Sequence, residues 1–139
     1  MGIDFTCGEI DVRCGSYKLF ENLKIDLIHA IIKFLKSNYD FEKDLILKLE
    51  SCISDDRLDY EKLNEVIDEL NLYELDGFRI ILDPITPPVI DTINAEYFMK
   101  SYDLVKEYVD EHFKLEDNKF YMYEVFEESI NTGEDIYIG

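Results

Sequence analysis

Residues 17–37, YKLFENLKIDLIHAIIKFLKS, constrain this chain more than any other stretch. An α-helix turns about 100° per residue. With Phe20 set at zero on that wheel, Leu23, Leu27, Ile31 and Phe34 cluster around it. Ile25, Ile28, Ile32, Leu35 and Tyr39 form a second apolar stripe, about 100–120° round. Asn22, Asp26, His29, Lys33 and Lys36 share the remaining side. A helix that is apolar over more than half its circumference needs partners on two sides, commonly a sheet on one and helices on the other. Ser16 is placed to cap it, its hydroxyl accepting from a free amide of the first turn.

Residues 3–14 predict a β-hairpin. Ile3, Phe5 and Cys7 alternate with Asp4 and Thr6, and Ile10, Val12 and Cys14 alternate with Asp11 and Arg13. Gly8-Glu9 between them is a Gly-X pair, which favours a type II′ turn. That turn sets Cys7 opposite Ile10, Thr6 opposite Asp11, Phe5 opposite Val12, Asp4 opposite Arg13 and Ile3 opposite Cys14. Every apolar pair then shares one face. Cys7 and Cys14 fall four rungs apart, roughly 13 Å at ~3.3 Å per residue. A disulfide needs Cα atoms within about 7 Å, so both are expected to be buried thiols facing the helix.

The rest of the chain predicts further helices and one inner strand. Residues 40–53 form a helix capped by Asp40, with Phe41, Leu45, Leu49, Cys52 and Ile53 on one face. Ser54-Asp55-Asp56 breaks it. A third helix, 59–72, points Leu63, Val66, Ile67 and Leu70 inward and leaves Glu61, Glu65, Asp68 and Glu69 as an acidic ridge. After the Asp76-Gly77 turn signal, FRIIL at 78–82 is short and rich in branched residues, the signature of a strand buried on both faces. Pro84, Pro87 and Pro88 make 83–92 an exposed connection of fixed shape. A fourth helix spans 94–115, with Asn94 as cap, Phe98, Tyr102, Val105 and Val109 inside, and His112 in its last turn. A short extended piece at 120–122, a short helix at 123–131 closed by Gly133, and an edge strand at 135–139 complete the chain. The expected fold is one α+β domain over 1–139. Its small sheet comes from the N-terminal hairpin, strand 78–82 and possibly 135–139, packed with four to five helices around a central helix 17–37.

Charge bounds the function. The chain carries 14 basic and 32 acidic residues, a net −18. Residues 1–39 hold five of each sign, whereas 40–77 and 78–139 are each net −9. Direct nucleic-acid binding, which needs Lys and Arg against phosphate, is disfavoured, as is an anionic membrane surface. No apolar run reaches the ~18–20 residues of a membrane span. A basic protein partner is favoured, with Glu61, Glu65, Asp68 and Glu69 as the candidate partner-binding residues. The simpler use of the acidity is solubility. The expected class is therefore a non-enzymatic binding module of inhibitor, immunity-type or nucleic-acid-mimic kind. The alternatives are an assembly protein without catalytic activity, or an enzyme pairing His112 with a thiol. No cofactor or metal site is expected: no CxxC, HExxH, GxSxG or phosphate loop occurs, and the acidic 55–66 stretch lacks the glycine and terminal glutamate of an EF-hand. No catalytic residue is assigned.

Met1-Gly2-Ile3-Asp4-Phe5-Thr6 also fits the N-myristoylation pattern at Gly2, with Cys7 adjacent. The opening MGIDFTCG and the later EVFEES resemble segments of small uncharacterised proteins of protist-associated large DNA viruses. That resemblance implies a source and neither an activity nor a site. With no basic-then-apolar leader at the N-terminus, the expected location is cytoplasmic, the host cytoplasm if the chain is viral.

Overall fold

The computed structural model describes residues 3–39, 43–83, 87–109 and 122–139. Strands β1 (Ile3–Cys7) and β2 (Ile10–Gly15) pair antiparallel in the register set by the turn, from Cys7 opposite Ile10 to Asp4 opposite Arg13. Gly8 has φ 59° and Glu9 does not share the positive φ, which is the type II′ pattern. The register departs at the open end. Ile3 faces Gly15 instead of Cys14, because an extra residue bulges out of β2 there. Ile3, Phe5, Cys7, Val12 and Cys14 are all buried, and all three cysteines are free thiols.

Helix α1 (Tyr17–Asn38) begins where Ser16 accepts a 3.2 Å hydrogen bond from the Leu19 amide. Both apolar stripes are buried, except Tyr39, which lies just past the helix and is partly buried, and His29, Lys33 and Lys36 are exposed. The chain continues through α2 (Lys43–Ser51) into a two-residue hairpin, β3 (Ile53–Ser54) with β4 (Arg57–Leu58). Asp55 and Asp56 form its turn with φ of 53° and 60°; Ile53 is therefore a strand residue rather than the end of a helix. Asp59 caps α3 (Tyr60–Val66), its carboxylate accepting from the amides of Glu61 and Lys62. A 3-10 helix, Ile67–Tyr73, carries the segment on to where a helix to Leu72 was expected.

The expected strand at 78–82 is a helix. Asp76–Phe78 is a 3-10 turn that runs into α4 (Arg79–Leu82). A strand would have buried Ile80 with its neighbours on both faces. Instead Phe78, Ile81 and Leu82 are buried, Arg79 is exposed and Ile80 lies between. That i, i+3, i+4 spacing is helical, and tertiary packing overrides the β preference of branched residues. Gly77 fixes the geometry. A Cβ there would lie 1.9 Å from the Tyr97 carbonyl oxygen on the next helix, and its amide donates to Ser101 Oγ at 3.0 Å.

The loop expected at 83–92 contributes a strand, β5 (Val89–Ile90). It pairs antiparallel with β6 (Ile136–Ile138), which pairs in turn with β1. The sheet order is β2-β1-β6-β5. The C-terminal strand thus exists but lies inside the sheet, with β5 outside it. Helix α5 spans Thr92–Val105, with Asp91, not Asn94, as its cap through a 2.9 Å bond from the Asn94 amide. It passes into a 3-10 turn, Lys106–Tyr108, well short of residue 115. Helix α6 (Met122–Thr132) buries Met122, Val125, Phe126 and Ser129, one face at i, i+3, i+4, i+7. The expected features at Asp40, Phe41, Pro84, 110–121 and Gly2 lie outside the described residues.

The chain is an α+β fold, a small antiparallel sheet with several packed helices. Phe5 on β1 meets Phe20 of α1 edge-on at 5.7 Å and Phe126 of α6 at 6.5 Å. Phe126 stacks on Phe98 of α5 at 3.9 Å, and Phe98 meets Phe78 at 5.4 Å. This run of buried rings joins sheet, α1, α6, α5 and the turn before α4. Offset and edge contacts add about 0.5–1.5 kcal/mol per pair beyond area burial.

Candidate functional site

Of the ridge residues, Glu61, Glu65 and Asp68 are exposed and Glu69 is half-buried. Two are already engaged within the chain: Asp68 bonds Arg79 at 2.7 Å and Glu69 pairs with Lys48 at 3.4 Å. Among the described residues neither Glu61 nor Glu65 has an ion-pair partner. Leu72, at the end of the same segment, is 75% exposed, and Leu47, beside Lys48 on α2, is 62% exposed. The ridge is an acidic surface, and its segment ends in an exposed leucine.

The thiols are buried in three separate places. Cys7 Sγ contacts the Glu134 carbonyl at 3.6 Å and Cys52 Sγ the Lys48 carbonyl at 3.2 Å. Burial raises the pKa of Cys7, Cys14 and Cys52, and Glu134, Asp4 and Asp59 respectively add to it. All three are held as thiols, the unreactive form. His29 is on the exposed side of α1, and His112 and Gly2 lie outside the described residues. Among the described residues no group of His, Cys, Asp and Glu side chains is arranged to hold a metal ion, and no helix is long and apolar enough to cross a membrane.

A concavity lies elsewhere, at the N-terminal end of α1. It encloses about 570 Å³ and is lined by Tyr17, Lys18, Phe20, Glu21 and Lys24 of α1, Arg57 of β4, Tyr60 of α3, and Ile3, Ile138 and Gly139 beside the sheet. Three of its side chains are cationic and one is acidic, the reverse of the chain as a whole. Lys24 is buried, with 3% of its surface exposed. Its stem lies on the apolar arc of α1, and its ammonium sits 4.9 Å from the Phe20 ring centre and 5.0 Å from that of Tyr60. It donates to the Asp83 carbonyl at 3.0 Å and to the Tyr60 hydroxyl at 3.4 Å.

Those contacts are cation–π and neutral acceptors, which hold an ammonium less firmly than a carboxylate does. Desolvation therefore dominates and lowers the Lys24 pKa to about 8, against the opposing pull of Asp83 and Glu21. The Tyr60 hydroxyl is shifted up by burial and then by Glu21. Lys18 is tied to Glu21 at 3.2 Å and also donates to the Asp56 carbonyl. Among the described residues neither Lys24 nor Arg57 has a carboxylate partner. Sequence reasoning passed over this site. Its one local signal was Lys24 itself, about 40° from Phe20 on the wheel and so inside the apolar arc.

No protein-family model matches the chain, and no curated protein or solved structure is similar to it.

Proposed function

We propose that the chain is a non-enzymatic binding module whose acidic exterior engages a basic protein. The observation that carries this is the face formed by α3 and the 3-10 helix after it. It presents Glu61 and Glu65, which have no ion-pair partner among the described residues, and carries at its C-terminal end Leu72, three-quarters exposed. Carboxylates and an exposed leucine on one segment suit a partner rich in Lys and Arg that also carries an apolar side chain. The chain's net charge of −18 would accelerate encounter with such a partner and discourage nucleic acid. An inhibitor, immunity-type or nucleic-acid-mimic role follows from that chemistry. A viral origin, as the MGIDFTCG and EVFEES stretches imply, would place the action in the host cytoplasm.

The test is affinity capture from the source cell at low and high salt. The wild-type chain is compared with a variant carrying Glu61→Lys, Glu65→Lys, Asp68→Lys and Glu69→Lys. A specific basic protein held at low salt, released at high salt and lost from the variant is the expected result. Recovery of neutral or acidic partners only, or equal capture by the variant, refutes the proposal.

The alternative of an assembly protein draws on the exposed Leu47, Leu72, Ile93, Tyr97 and Tyr137. Sedimentation of the purified chain separates the two. A stable self-associated form that persists at high salt favours assembly.

A further inference from the structure

We propose that the cavity at the N-terminal end of α1 is a binding site for a small organic phosphate. The ligand is a phosphomonoester joined to a flat ring. Lys24 and Arg57 receive the phosphate with Lys18 beside them, and Tyr17 and the neighbouring apolar wall receive the ring.

The inversion of charge comes first. The chain has 32 carboxylates, yet among the described residues none forms an ion pair with Lys24 or Arg57. Both line one cavity. An ammonium almost wholly removed from water, contacting a carbonyl, a phenol and two ring faces and feeling Asp83 and Glu21 only at a distance, is under-compensated. Lys18 already has Glu21. A buried ammonium and an exposed guanidinium, neither ion-paired among the described residues, match one phosphomonoester dianion, and Arg supplies the fork that binds two phosphate oxygens at once. The first turn of α1 opens beside the same space with no acidic residue in it, so the helix dipole adds to the attraction.

The second consideration is shape. A volume of about 570 Å³ falls inside the about 300–1,000 Å³ of small-molecule sites. Inorganic phosphate would leave most of it unfilled. The remaining wall is Ile3, Ile138 and the ring of Tyr17, which is mostly exposed in the free chain and offers a face for stacking. The α1 residues of the site come from the segment where acidic and basic residues balance.

The experiment is titration of the purified full chain with adenosine monophosphate, inorganic phosphate and adenosine, followed by amide and tyrosine resonance shifts. Saturable shifts at Phe20, Tyr60 and the Lys24 amide are expected with adenosine monophosphate. The affinity should be tighter than with inorganic phosphate and fall at least about tenfold in Lys24→Met, the loss of one charge-assisted contact. Arg57→Gln, at an exposed strand position, should weaken binding several-fold, so a folding defect in Lys24→Met would leave the proposal testable. Three outcomes overturn it: no saturation by adenosine monophosphate at about 1 mM, adenosine binding as tightly as its phosphate, or unaltered affinity in Arg57→Gln. Inorganic phosphate binding as tightly as the nucleotide overturns the assignment of the ring. The titration involves no protein partner, so its failure and that of the basic-partner proposal are separate results.

Discussion

Replacing Lys24 with methionine should change how stability responds to alkali, with a sign and size set by the cavity. The Lys24 pKa falls from 10.5 to about 8 in the folded chain. Below pH 8 both folded and unfolded chains carry the proton, and the folded one bears the full cost of a desolvated ammonium. Between pH 8 and 10.5 the unfolded chain still binds the proton and the folded chain has lost it. Stability therefore rises with pH across that window, at up to ~1.4 kcal/mol per pH unit. From pH 7 to pH 9.5 the penalty should fall by up to ~2 kcal/mol, and by about 1–2 kcal/mol once solvent entering the open cavity is allowed for. The groups facing the ammonium are Glu21, Asp83, Tyr60, Lys18 and Arg57. The three cysteines oppose the trend. Their raised pKa values mean that the unfolded thiols ionise first, so above pH 9 each lowers stability. Urea unfolding of wild type and Lys24→Met in parallel removes that background, because the cysteines are common to both. The difference, wild type minus variant, should climb by about 1–2 kcal/mol between pH 7 and 9.5 with unchanged m values. A flat difference would show that Lys24 is solvated like a surface lysine and would remove the physical basis of the cavity site.

Gly77→Ala should destabilise by about 2–5 kcal/mol in urea. The added methyl meets the Tyr97 carbonyl at 1.9 Å, and moving α5 away breaks the Gly77–Ser101 hydrogen bond. Ser101→Ala alone should cost about 1–3 kcal/mol by leaving the Gly77 amide without its acceptor. If either variant melts within ~0.5 kcal/mol of wild type, the packing of Asp76–Phe78 on α5 is wrong. Ile28→Asp places a carboxylate at a fully buried position of α1 and should leave the chain unfolded by circular dichroism, its cost rivalling a domain's whole stability of about 5–15 kcal/mol. A disulfide-exchange reagent at neutral pH should modify the three thiols far more slowly in the folded chain than in urea; fast labelling without denaturant would contradict their burial.

What could be read from the sequence was whatever is decided within a few residues. The Gly8 turn dictates the hairpin register, the Ser16 hydroxyl marks the start of α1, and the wheel of α1 sorts buried from exposed side chains, because each depends on local geometry. Errors appear where two local solutions are nearly equal and a distant contact chooses. Phe78-Arg79-Ile80-Ile81-Leu82 satisfies a strand by composition and a helical turn by spacing. The close approach of Gly77 to α5 selects the turn. Asp91 and Asn94 are both competent caps, and pairing of Val89–Ile90 with β6 delivers the chain to Asp91 first. A two-residue strand after two prolines has no period to detect, so β5 appears only when β6 is there to receive it.

The cavity shows a different kind of limit. Its cations come from positions 18, 24 and 57, and only the packing of α1 against β4 brings them together. The sequence nevertheless carried one discordant residue. Lys24 interrupts an apolar arc that would bury more surface with leucine there, and the folded chain keeps it neither solvated nor salt-bridged among the described residues. Solubility cannot account for that, since a residue 3% exposed contributes nothing to the surface. Stability accounts for it poorly too, because the depressed pKa means that the charged form opposes folding at neutral pH. A charge that serves neither the surface nor the core is best explained by something it meets, and the cavity it lines also holds Lys18, Arg57 and the Tyr17 ring.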